Sequence, residues 1–180
     1  MVKEPRLGRV KTRLGASIGS VKATWWYRHQ CRRLIGRLRD KRWQVVLAVS
    51  PDAALAARCW PANISRIGQG SGDLGRRMTR AISALAPAPV VLIGSDIPGI
   101  RRKHIAEGFH AIAGGGFAMG PAPDGGYWLI GWANRRRLAR DWLDGVRWSS
   151  EFARDDTLAR MPEPCSLLDS LTDVDDVSDL

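Results

Sequence analysis

Six short stretches of the chain place chemically useful side chains close together. In Glu4-Pro5-Arg6-Leu7-Gly8-Arg9-Val10-Lys11-Thr12-Arg13-Leu14 a glycine-containing loop carries Lys11 and Arg13 on either side of Thr12. Backbone N–H groups and two cations at that spacing can wrap phosphate oxygens through charge-assisted bonds. A solvated basic segment is the plain alternative. The order G-x-x-x-x-G-K-[ST] is absent, so this is not a Walker-type loop. In Gly68-Gln69-Gly70-Ser71-Gly72-Asp73-Leu74-Gly75-Arg76-Arg77-Met78 four glycines fall within eight residues. Such density signals close backbone approach or positive φ. Ahead of a helix it suits the ribose or phosphates of a nucleotide, although a flexible surface loop would look the same.

In Ile93-Gly94-Ser95-Asp96-Ile97-Pro98-Gly99 a carboxylate follows an apolar run directly. Half desolvated at a strand's carboxyl end, Asp96 needs a partner or a cation. Oxygen ligands there suit Mg²⁺ or Mn²⁺ bridging to a diphosphate, and a turn or cap aspartate before Pro98 is the rival reading. Gly120-Pro121-Ala122-Pro123-Asp124-Gly125-Gly126-Tyr127-Trp128 is either a hairpin turn or a rigid acceptor pocket around Asp124. In Trp148-Ser149-Ser150-Glu151, Ser150 suits a helix cap with Glu151 in the first turn, where the macrodipole favours a carboxylate. Asp173-Val174-Asp175-Asp176, taken alone, reads as an acidic tail.

The elements that must position these residues alternate along the chain. Residues 43–49 and 89–95 are short β-branched apolar runs, read as buried strands. Residues 117–120 and 127–132 give two more strands flanking a Pro/Gly-rich loop. Ala23, Tyr27, Cys31, Leu34 and Leu38 recur at spacings of three and four and mark the inner face of a helix over about 20–40. Shorter helices are expected over 52–58, 74–85, 102–113 and 153–160, with Gly72 or Asp73 capping the second. Such alternation indicates an α/β domain with a mainly parallel sheet, in which ligands gather at the carboxyl ends of the strands. No internal repeat or long linker appears, so residues 1–180 read as one domain.

Composition narrows the class. The chain has 180 residues, 44% hydrophobic and 26% charged, which excludes wholesale disorder. No apolar run has the ~20 residues that cross a bilayer, and the first residues carry no signal-peptide core. Cys31, Cys59 and Cys165 are scattered and odd in number, arguing against a disulfide framework or a cysteine zinc site. A reduced cytoplasm is the expected location. The net charge is +10, and residues 1–42 hold 13 Lys/Arg against Glu4 and Asp40. That surplus attracts a polynucleotide or a small phosphorylated ligand. No helix-turn-helix, RRM or zinc-finger pattern accompanies it, and the eight tryptophans are not interleaved with the basic residues, which disfavours a nucleic-acid binder. His29, His104 and His110 are expected at the surface, and Arg135-Arg136-Arg137 at a helix end or in solvent.

Taken in order, these stretches resemble the bacterial GT-A-like glycosyltransferases known as arsenosugar-biosynthesis or selenodomain-associated transferases. The matching segments are Gly8-Arg9-Val10-Lys11-Thr12-Arg13-Leu14, residues 69–78, Gly94-Ser95-Asp96-Ile97-Pro98, Asp124-Gly125-Gly126-Tyr127-Trp128 with Trp148-Ser149-Ser150-Glu151, and Asp173-Val174-Asp175. The resemblance implies a Rossmann-like nucleotide-diphospho-sugar transferase fold, related to nucleotidyltransferases. It implies a nucleotide-sugar donor, a small-molecule acceptor and a divalent metal, Mg²⁺ or Mn²⁺. On this chain Gly8, Lys11, Thr12 and Arg13 would hold the donor phosphates. Gln69, Gly70, Gly72, Asp73, Leu74, Gly75 and Arg77 would lie against the base and ribose. Asp96 takes the place of the metal-binding carboxylate, with Asp175 as second ligand. Asp124 and Glu151 would face the acceptor, either one as general base. The closest rival reaction is nucleotidyl transfer from a nucleoside triphosphate with release of pyrophosphate.

One departure from that family is visible. Its members begin with an apolar strand ahead of the basic loop, whereas here Met1-Val2-Lys3-Glu4-Pro5 leads straight into it. The first strand is therefore expected to be missing or truncated, through a start inside a longer gene product or a decayed or rearranged member.

Overall fold

The computed structural model describes residues 1–133, 138–162 and 164–179; Arg135, Arg136 and Arg137 lie outside them. The fold is α/β, with one parallel and one mixed sheet and helices flanking them. The chain forms two compact units. The first takes in residues 1–68, 94–102 and 172–180, and the second residues 69–93 and 103–171.

The first unit holds β1 (Val2–Lys3), α1 (Thr12–Ile18), α2 (Ser20–Leu38), β2 (Val46–Ser50) and β3 (Ser65–Gly68). Its sheet runs β1-β2-β3, parallel throughout, with Val2 opposite Val49 and Val46 opposite Ser65. The first strand is two residues long. Helix α2 buries Ala23, Tyr27, Cys31, Leu34 and Leu38, the face its spacing predicts, and adds Gln30 and Ile35. Tyr27, Cys31 and Ile35 form one cluster with Leu47, Val49 and Trp60.

The expected helix over 52–58 is a single 3₁₀ turn, Asp52–Ala54. The Ala54 carbonyl that a continuing α-helix would use accepts instead from the Ala57 N–H (3.1 Å) and the Trp60 indole (3.0 Å). Conversely α1, β3 and a late strand over 165–167 were not foreseen. Only Leu14 of α1 is buried, and Ser-Arg-Ile-Gly of β3 shows no apolar alternation.

The second unit holds α3 (Leu74–Ser83), β4 (Val90–Ile93), most of α4 (Arg102–Ala111), β5 (Phe117–Pro121), β6 (Tyr127–Trp132), α5 (Ala153–Leu158) and β7 (Cys165–Leu167). Its sheet order is β4-β6-β5-β7; β6 is antiparallel to both neighbours and β7 parallel to β5. Phe117 stacks on Trp132 with ring centroids 5.7 Å apart, and the Trp142 indole donates to Thr79 Oγ1 at 2.7 Å. His104, expected at the surface, is buried on the inner face of α4 and meets Trp128 edge-on at 5.8 Å. Gly108, one turn further on, leaves room for Leu129 and Val91, so that helical face is committed to the sheet. His110 is exposed and His29 half-buried.

Candidate functional site

Lys11 is the centre of the first unit's site. It stands just ahead of α1 in the left-handed region (φ 45°, ψ 53°), a conformation unusual for a non-glycine residue. Its side chain is only 7% exposed. A lysine this buried requires partners, and it has two. Its ammonium contacts Asp96 Oδ2 and donates to Asp175 Oδ1 at 2.8 Å. Burial alone would lower the Lys11 pKa, but the Asp96 and Asp175 carboxylates outweigh it and hold the pKa above its ordinary value. The lysine is a firm cation.

The carboxylates are positioned by backbone. Asp96 follows β4 in sequence, and its carbonyl accepts from the Val174 N–H at 3.1 Å. That bond holds residues 173–175 in place. Val174 is buried while Asp173 and Asp175 flank it, the alternation of an extended chain. Carboxylate oxygens of Asp96, Asp173 and Asp175 consequently lie within 4.8 Å of one another. The acidic stretch is therefore built into the unit, and Asp173 joins Asp96 and Asp175, which sequence reasoning had named. The i, i+2 spacing of Asp173 and Asp175 was the signal for it. Three hard oxygen donors in this arrangement fit Mg²⁺ or Mn²⁺.

Around this cluster lies a cleft of about 340 Å³, within the range of ligand pockets. It is lined by the basic side chains of Lys3, Arg9, Lys11 and Arg13 together with Thr12, Tyr27, Asp96 and Asp175. Arg13 reaches Asp175 at 3.2 Å with a largely exposed side chain. Gly8, at φ 69° with open space around it, turns the loop. Tyr27 and Ser95 were not foreseen. The Tyr27 hydroxyl accepts from the Lys3 N–H (3.0 Å) and pairs with Ser95 Oγ (2.9 Å), bracing the residue before Asp96.

The remaining sequence-named residues lie in the second unit. Asp73 caps α3, accepting from the Arg76 N–H at 2.8 Å, as its place before Leu74 suggested. Gln69 is buried, and its carbonyl accepts from the Arg80 guanidinium, which fills the space where a Gly70 side chain would stand. Arg77 bonds Gln69 Oε1 (3.4 Å) and the Asp73 carbonyl (3.2 Å). Gly72 has φ 107°, and Gly75 lets Trp148 and Leu143 approach α3. The loop is braced from within.

Asp124 occupies the β5–β6 connection and accepts from the Gly126 N–H at 2.9 Å, so the hairpin reading describes its backbone. Gly125 (φ 83°) packs against the Glu151 backbone, and the Arg154 N–H donates to the Gly125 carbonyl at 2.9 Å. Asp124 and Glu151 therefore belong to touching turns, both exposed. Glu151 is not in a helix's first turn, as expected, because α5 starts later, at Ala153. Ser150 Oγ donates to the Arg147 carbonyl and accepts from the Phe152 N–H, which closes a separate turn.

Residues 34–150 match a family described as "Uncharacterized protein conserved in bacteria" (DUF2064). The chain belongs to this family. The matched DUF2064 span includes Asp96, the 69–75 loop and Asp124. The chain is also similar to the crystal structure of a "putative nucleotide-diphospho-sugar transferase" from Desulfovibrio desulfuricans G20. The two are 31% identical with a TM-score of 0.87, over 99% of this chain and 81% of that one. A homologue of Mycobacterium tuberculosis Rv0371c from Mycobacterium sp. strain JC1 is 15% identical with a TM-score of 0.54. It covers 85% of this chain and 78% of its own, and shows the fold alone. No curated protein matches the chain. This DUF2064 member thus has the nucleotide-diphospho-sugar transferase fold. Among its described residues no helix is long and apolar enough to cross a membrane.

Proposed function

We propose that the chain transfers a sugar from a nucleotide-diphosphate donor to a small acceptor, and that residues 1–180 act as one transferase domain of the arsenosugar/selenodomain type. The observation that carries this reading is a cleft lined by four basic side chains together with Asp96 and Asp175, two members of an acidic trio completed by Asp173. Such a cleft suits a diphosphate and a hard divalent cation together. Asp96, Asp173 and Asp175 would hold the cation, which when bound supplies Lewis-acid stabilisation of a leaving diphosphate.

The chain's own residues do the rest. Lys11 and Arg13 offset negative charge developing on the leaving phosphate oxygens, the main electrostatic demand of such a transfer. Gly8 and Thr12 shape the loop that presents them. In the second unit the 69–75 loop is assigned the base and ribose, and Asp124 or Glu151 the removal of the acceptor hydroxyl's proton. The three cysteines are free, and a reduced cytoplasm is the proposed setting.

Asp96→Asn tests the reading at its centre. The expected result is loss of sugar transfer, by at least about a hundredfold, with an unchanged circular dichroism spectrum. Full turnover in that variant would contradict the role given to Asp96.

A further inference from the structure

The acidic trio already holds a cation of its own, the Lys11 ammonium. We propose that Lys11 is an exchangeable counter-ion: it occupies the carboxylates in the metal-free protein, must leave them for a divalent ion to bind, and is drawn off by donor phosphates. Metal and diphosphate then bind cooperatively through one side chain. This inference rests on the transfer reading for the identity of the anion.

Three observations support it. The ammonium bridges Asp96 and Asp175, two of the three carboxylates that would ligate a metal. A +2 ion and an ammonium cannot share those oxygens at contact distance without strong mutual repulsion. Lys11 also lines the cleft beside Arg9, Thr12 and Arg13, so its flexible four-carbon stem has anion-binding neighbours to move towards. Arg13 differs. Its guanidinium reaches Asp175 Oδ2 at 3.2 Å from a side chain that is 74% exposed, so it screens the cluster from solvent without being buried in it. By linkage, whatever draws Lys11 away must tighten metal binding, and metal must tighten binding of that agent by the same factor.

The test is a titration with Mn²⁺ alone, following the free ion by electron paramagnetic resonance, with no nucleotide or acceptor present. Lys11→Met is expected to bind Mn²⁺ on the order of tenfold more tightly than the wild type. Lys11→Gln should show the same gain and serves if the methionine variant melts early. Arg13→Met removes an equal charge from the exposed position and should change affinity less than about threefold. Adding Asp175→Asn to Lys11→Met should abolish the gain.

No gain in folded Lys11→Met or Lys11→Gln would overturn the proposal, as would an equal gain in Arg13→Met, which would mark a general charge effect. A chain that takes sugar nucleotides but shows no such gain loses this inference alone. One that shows the gain but takes no nucleotide loses the transfer reading alone.

Discussion

Two glycines separate local backbone needs from packing needs at the residue scale. Gly125 has φ 83°, and a β-carbon there would stand 2.1 Å from the Glu151 carbonyl oxygen. Gly8 has φ 69° with nothing within 4 Å. Gly8→Ala should therefore cost only the left-handed backbone penalty, about 1–2 kcal/mol. Gly125→Ala must in addition push the Glu151 turn away and should exceed that, at roughly 3 kcal/mol. Urea unfolding of the two variants checks the contrast, and equal losses would contradict the packing role of Gly125. The candidate site was largely legible at this scale because lysine, arginine and aspartate carry their chemistry with them. Asp173 escaped notice because an acidic run near a chain end resembles a solvated tail. The Val174 N–H bond to the Asp96 carbonyl and the Lys11–Asp175 ion pair show otherwise. Tyr27 was read correctly as buried, but apolar spacing could not reveal where its hydroxyl points.

Elements that bury a full face were the readable ones. Helix α2 declared itself through five apolar positions, and β6 through an unbroken hydrophobic run. Elements that bury one residue or none, such as α1 and β7, gave no periodic signal. Helix α2 also carries a pH dependence. Burial raises the Cys31 thiol from its ordinary 9.0 to about 11. Between those values the unfolded thiol has lost its proton while the folded one keeps it, so the folded state binds more protons. Stability is then complete below about pH 9 and falls as pH rises towards 11. Tyr27 is also raised, chiefly by burial, and adds to the loss from its ordinary value of 10.0 upwards. Urea midpoints across this interval should decline in the wild type and less steeply in Cys31→Ala. Identical slopes would show that Cys31 does not contribute. In α3, Asp73→Ala removes the cap on the Arg76 N–H and should cost about 1 kcal/mol by the same assay.

For the whole molecule, α/β alternation was legible because strand and helix differ in hydrophobic period, and nearly every long element carries one period or the other. The pairing order β4-β6-β5-β7 was not legible, since nothing in residues 117–132 distinguishes a hairpin from two parallel strands except the turn itself. Val2 of β1, Val10 of the basic loop, Tyr27 and Val49 share one buried cluster, which ties the loop to the first unit's sheet. The class of ligand that this protein takes is read from thermal unfolding. The protein would be melted with a panel of nucleoside diphosphates and triphosphates, each with and without Mn²⁺. One diphosphate, with Mn²⁺ present, should stabilise the fold by about 2.7 kcal/mol at a hundred times its dissociation constant. A preference for a triphosphate would point instead to nucleotidyl transfer, and no shift with any nucleotide would contradict the account.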